Sequence, residues 1–162
     1  MSTRSYVFID RGENVHPRYR GIYCQHDGYL ECVGEILRDH YSTEERVNAL
    51  IDLGAASSIY PKLEECEFYC RDGHEDLSIM EVDTVEQLMK KFNDSLTEYL
   101  YLFKDGKWMV YFPSRKIIPE DDFIELTEAF DRVEKYEKSQ ENAKSLSGFC
   151  TVLVDSDADK YC

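Results

Sequence analysis

Two groups of residues in this chain have types and spacings that could do chemistry. The first lies in "GIYCQHDGYLECVGEILRDHY", residues 21–41, which gathers Cys24, His26, Asp27, Cys32 and His40 about a turn. A thiol, an imidazole and a carboxylate so close together can ligate a metal or move a proton. The second is Cys66, Cys70 and His74, which with Cys24 and His26 would supply enough ligands for a tetrahedral zinc ion. Neither pattern is specific. Cys66 and Cys70 flank "EFY", a strand candidate that points both thiols to one sheet face, unlike the tight turn of a zinc knuckle. His26 and Asp27 are adjacent on an extended segment and so point to opposite sides. Asp27 has a simpler expected role: its carboxylate caps the helix that follows. Phosphate-loop, GxSxG and HExxH motifs are missing from the sequence. The expectation is a protein without catalytic residues, metal or cofactor, with Cys66, Cys70 and His74 as the metal alternative.

These residues must be positioned by secondary elements, and the hydrophobic pattern places them. "SYVFID" and "GIYCQ" read as strands joined by the locally basic "RGENVHPRYR". After Asp27-Gly28, Tyr29, Val33, Ile36, Leu37 and His40 recur at helical spacing, with Glu31, Glu35 and Asp39 on the outer face. "STEERVNALIDLG" predicts a helix with a Ser42/Glu45 capping box and Gly54 as its stop, and "AASSIYPKLEE" a loop. "CEFYC" reads as a short strand. "DTVEQLMKKFND" predicts a helix capped by Thr84 and Gln87, and "EYLYLFKDGKWMVYF" a hairpin turning at Asp105-Gly106. A longer helix is expected from Pro119 with Phe123, Leu126, Phe130 and Val133 as its stripe, followed by "GFCTVLV" as a last strand. That order predicts an α+β fold. The expected form is an antiparallel sheet of about four to five strands with three to four helices packed mainly on one face. Residues 1–154 are expected to form a single domain and 155–162 an acidic tail.

Composition limits the partners. The chain has 162 residues, 19 Lys and Arg against 33 Asp and Glu, and a formal charge of −14. That balance disfavours direct contact with DNA or RNA, whose phosphates need a local excess of cations. It permits the reverse, an acidic surface seated in the basic groove of a nucleic-acid-binding protein. The start, "MSTRSYVFIDRG", carries no long apolar run before small residues, and no later run approaches a membrane helix. A cytoplasmic chain whose six cysteines stay thiols is expected.

The acids are unevenly spread. Residues 63–86 hold nine with one arginine, and residues 120–162 hold twelve with five basic residues. Glu64, Glu65, Glu67, Asp72, Glu75, Asp76, Asp121, Asp122, Glu125 and Glu128 are therefore the candidate partner-binding surface, a mimic of spaced phosphates. The alternative is a pocket for a nucleotide-like small molecule that sequesters or degrades a defence signal. Its residues would come from the basic, tyrosine-rich N-terminal part and its neighbour: Arg4, Tyr23, Asp27 and Tyr29.

"MSTRS", "GIYCQHDGYLECVGEILRDHY", "VNALIDLGAASSI" and "YLYLFKDGKWMVYF" together resemble a family of small acidic proteins from phages, prophages and their bacterial hosts. The matching positions are Ser2, Thr3, Arg4, Tyr23, Asp27, Gly28, Tyr29, Val33, Gly34, Leu37, His40, Tyr41, Leu53, Gly54, Gly106 and Trp108, over about two-thirds of the chain. Two departures weaken a chemical reading: His26 sits one place from the family's histidine, and Cys70 stands where a glycine is expected. The resemblance implies a setting and not a reaction. That setting is anti-defence: a non-enzymatic, anti-CRISPR-like inhibitor that occupies the nucleic-acid site of a host RNA-guided or restriction nuclease.

Overall fold

The computed structural model describes residues 3–69, 77–113 and 123–154, with side chains as far as residue 143 in the last helix. The chain divides into two compact units, Met1–Leu126 and Thr127–Cys162. The first is α+β. Strands β1 (Ser5–Asp10) and β2 (Tyr19–Cys24) are followed by a π-helical turn at Leu30–Gly34 running into α1 (Glu35–His40), then α2 (Glu44–Ile51). Next come β3 (Ala56–Ser58), a tight turn at Leu63–Glu65, β4 (Glu67–Phe68), β5 (Met80–Val82) and α3 (Val85–Asn93). The hairpin β6 (Tyr99–Lys104) and β7 (Lys107–Tyr111) and the short β8 (Ile124–Glu125) complete the sheet, and α4 (Leu126–Val154) follows.

The sheet is mixed and larger than expected. Its order is β4-β3-β2-β1-β6-β7-β8, with β5 also pairing β2. β1 lies parallel to β6, and β2 parallel to β3, while the remaining pairs are antiparallel. The expectation of four to five purely antiparallel strands is thus corrected. β3, β5 and β8 have only two or three residues each, too few to show a period of two.

Register assigns the two faces. Val7, Ile22, Tyr101 and Val110 pair in sequence across four strands and so share one face. Tyr6, Tyr23, Leu100 and Tyr111 share the other. On the first face the Trp108 indole donates to the Tyr41 carbonyl at 2.8 Å, and Arg20 reaches Asp52 at the end of α2 at 2.5 Å. On the second, Phe92 of α3 packs edge-on against Tyr6 and Tyr111 at 6.1 and 5.6 Å. Helices therefore cover both faces, not mainly one. This explains why "SYVFI" lacks polar alternation: Ser5 to Ile9 are all buried, as a central strand between two layers requires. Burying a side chain such as Phe8 contributes about 1.5–3 kcal/mol.

One glycine is required by packing. A Cβ on Gly21 would fall 2.3 Å from the Phe8 ring and 2.5 Å from the Val7 carbonyl oxygen, so the Phe8 ring lies across β2 at that point. Two other local signals match the structure. Thr84 and Gln87 form the expected capping box on α3, and Asp105 and Gly106 both take positive φ (52° and 78°), as the type I′ hairpin turn demands. In α2 the cap is Thr43, which accepts from Arg46 N at 3.3 Å, in place of the expected Ser42. "GFCTVLV" is not a strand, because α4 runs unbroken to Val154. Its β-branched residues follow a long helix already nucleated, where propagation is cheap. Within the second unit, Glu128–Arg132 and Glu134–Lys138 pair one turn apart at 2.6 and 3.0 Å. Among the described residues, no helix is long and apolar enough to cross a membrane.

Candidate functional site

The opening motif is a junction, built differently from the expectation. Asp27 takes a left-handed conformation (φ 57°) and is exposed, and its side chain does not cap the helix. The helical turn is capped at Tyr29, without a side-chain bond. The reason is that the turn is a widened one: Gly34 N donates to the Tyr29 carbonyl, and Val33 N to that of Asp27, at 3.3 and 3.1 Å. Gly28 is clamped between elements. Its N–H donates to Thr3 at 2.9 Å, its carbonyl accepts the buried Tyr101 hydroxyl at 2.7 Å, and an added Cβ would fall 2.7 Å from that of Ser5. Tyr29, expected to face inward, is 37% exposed, and His40 is exposed as well. Val33 and Leu37 are fully buried.

Cys24 and Cys66 are packing residues. Cys66 is buried and accepts from Tyr60 N at 3.2 Å, donates to the Tyr60 carbonyl at 3.3 Å, and meets the Tyr41 hydroxyl at 3.5 Å. Burial pushes the Cys24 thiol up to about 12, far from a reactive thiolate. Among the described residues, no group of three His, Cys, Asp or Glu side chains is placed to hold a metal. Cys70 and His74, the other members of the metal alternative, lie outside the described residues.

The four residues of the small-molecule alternative separate into two pairs. Arg4 lies beside Tyr23, whose pKa burial raises and the Arg4 charge pulls back. Asp27 sits near Tyr29, whose pKa is raised by Cys32 first and then by the Asp27 charge. The first pair lines an open groove of about 290 Å³ with Tyr6, Ser95, Leu96 and Thr97. Tyr6, Ser95, Leu96 and Thr97 were missed because three of them come from the loop after α3, ninety residues from Arg4 in sequence. Only the pairing of β1 with β6 brings that loop to the start of β1.

The candidate acids also separate. Glu64, Glu65 and Glu67 are exposed at the β4 end of the sheet, whereas Glu125 is on β8 at the opposite end. At the usual strand spacing, six steps put the two ends roughly 30 Å apart. Glu128 belongs to the second unit, where it bonds Arg132. Asp72, Glu75, Asp76, Asp121 and Asp122 lie outside the described residues.

A different set of acids gathers around Glu64. The Arg46 guanidinium donates to the His40 carbonyl at 2.6 Å and the Pro61 carbonyl at 3.4 Å, and lies 4.9 Å from the Tyr41 ring centre. One guanidinium spans only a few ångströms, so the end of α1, the start of α2 and the turn at Leu63–Glu65 are neighbours. Each contributes exposed acids: Asp39, then Glu44 and Glu45, then Glu64 and Glu65. Three cations stand among these acids: Arg38 pairs with Asp39 at 2.8 Å, Arg46 bonds carbonyls and stacks on a ring, and Lys62 is exposed beside Glu64. The sequence carried a signal for this face in Glu31, Glu35 and Asp39, but only the fold joins it to Glu44 through Glu67. Compared with known proteins, the chain matches no family model, no curated protein and no solved structure.

Proposed function

We propose that this chain is a non-enzymatic inhibitor of phage or prophage origin that binds a host nucleic-acid-dependent defence nuclease through an acidic, nucleic-acid-mimicking surface. The working surface is Asp39, Glu44, Glu45, Glu64, Glu65 and Glu67. The observation that carries the reading is the Arg46 clamp, which holds three acid-bearing segments side by side. The acids outnumber the cations on this face and are attracted to a basic groove. Tyr60, exposed beside Pro61, supplies the aromatic anchor that charge alone lacks.

The test is affinity capture from a bacterial lysate with the native chain and with a Glu44→Lys/Glu45→Lys/Glu64→Lys/Glu65→Lys variant, followed by nuclease assays on the captured partner. The reading expects a basic nuclease held by the native chain and released by DNA or guide RNA. A variant that captures and inhibits as well as the native chain refutes it.

A further inference from the structure

The sheet face opposite α1 and α2 carries an open groove of about 290 Å³ lined by Arg4, Tyr6, Tyr23, Ser95, Leu96 and Thr97. Its walls are fixed. Glu98 N donates to the Arg4 carbonyl at 2.9 Å, tying the loop after α3 to the start of β1. On the other side of Leu96, the Ser95 hydroxyl donates to the Phe92 carbonyl at 2.6 Å and meets the Thr97 hydroxyl. Leu96 is thus held on both flanks, yet it is 80% exposed. An apolar side chain anchored in water beside an aromatic floor gains from an apolar group that covers it. That floor is Tyr6 and Tyr23, edge-to-face at 6.5 Å, with Phe92 packed against Tyr6 at 6.1 Å. Arg4 closes one side beside Tyr23.

We propose that this groove binds a small single-ring aromatic carboxylate, with the ring against Tyr6, Tyr23 and Leu96 and the carboxylate on the Arg4 guanidinium. Three observations select that class. A volume of about 290 Å³ lies at the small end for ligand pockets, enough for one ring and a head group. The guanidinium fork matches the two oxygens of a carboxylate. The chain carries a charge of −14, so a dianionic phosphate meets about twice the long-range repulsion of a monoanion. The proposal replaces the nucleotide-like ligand by a carboxylate and shares no residue with the acidic surface, so each stands or falls alone.

The test is an amide chemical-shift titration of the full chain with benzoate and para-hydroxybenzoate, with inorganic phosphate and uridine monophosphate as comparison arms. Saturable shifts centred on Tyr6, Tyr23, Leu96 and Thr97 are expected with the carboxylates. Arg4→Gln should weaken binding about tenfold or more, as loss of a charge-assisted bidentate contact does. Leu96→Ser, at a solvent-exposed position where folding is unaffected, should weaken it about threefold or more. Three results would overturn the proposal. They are no saturation below about 10 mM, carboxylate affinity unchanged in both variants, or tighter binding of phosphate or the nucleotide.

Discussion

Asp10→Asn should destabilise the protein at neutral pH and do so less at acid pH. The Asp10 carboxylate is 3% exposed and accepts two bonds from Arg18, at 2.8 and 3.0 Å, and one from Gly12 N at 2.9 Å. It thereby joins the end of β1 to the start of β2. Burial alone would raise its pKa, but the bonds from Arg18 and Gly12 and the charges of Arg18 and Lys104 outweigh it, and the carboxyl is held below the ordinary 3.8. Asparagine keeps the shape and one acceptor but loses the charge. A charged hydrogen bond is worth about 1.5–3 kcal/mol net, and the partly exposed Arg18 recovers some hydration, so the loss at pH 7 should be about 2–3 kcal/mol. With a urea slope near 2 kcal/mol/M for a chain of this size, the midpoint should fall by about 1 M. The sign with pH follows from the depressed folded value. The Asp10 contribution is complete above the unfolded value of 3.8 and disappears as pH falls through the lower folded value. Urea unfolding of both proteins at pH 7 and at successively lower pH is the assay. A midpoint change under about 0.3 M at pH 7, or a gap that persists unchanged below the folded value, would refute the reasoning.

Other outcomes follow from the same geometry. Gly21→Ala should cost about 3 kcal/mol or more by urea unfolding, because its Cβ meets both the Phe8 ring and the rigid Val7 carbonyl at under 3 Å. Thr84→Ala, which removes one half of the α3 capping box, should cost about 1 kcal/mol in the same assay. Cys24, buried and with its thiol pushed up to about 12, should resist iodoacetamide at pH 8 in the native state and react once the chain is unfolded, as peptide mapping would show.

Where local chemistry decides structure, the sequence was readable. Asp105-Gly106 specified its turn, and Thr84 with Gln87 specified the start of α3, since both signals act within four residues. Tyr29 and Asp27 misled because a π-helical turn breaks the regular period, so spacing counted from Tyr29 does not identify the buried face. The parallel pairing of β1 with β6 joins Ser5 to Tyr99, and no residue near either strand encodes that partner. The same long-range pairing assembles the Arg4 groove, and the Arg46 clamp assembles the acidic surface from segments twenty residues apart. Both sites were therefore only half legible: Arg4 and Tyr23, or Glu64, Glu65 and Glu67, could be named, but not their neighbours.

The acidic surface is tested most directly by measuring binding of the native chain and of the Glu44→Lys/Glu45→Lys/Glu64→Lys/Glu65→Lys variant to the captured nuclease across a salt series, with duplex DNA as competitor. The account predicts that native binding weakens about tenfold or more between low and moderate salt and is competed by DNA, and that the variant fails to bind at any salt. Equal, salt-independent binding by both proteins, undisturbed by DNA, would contradict it.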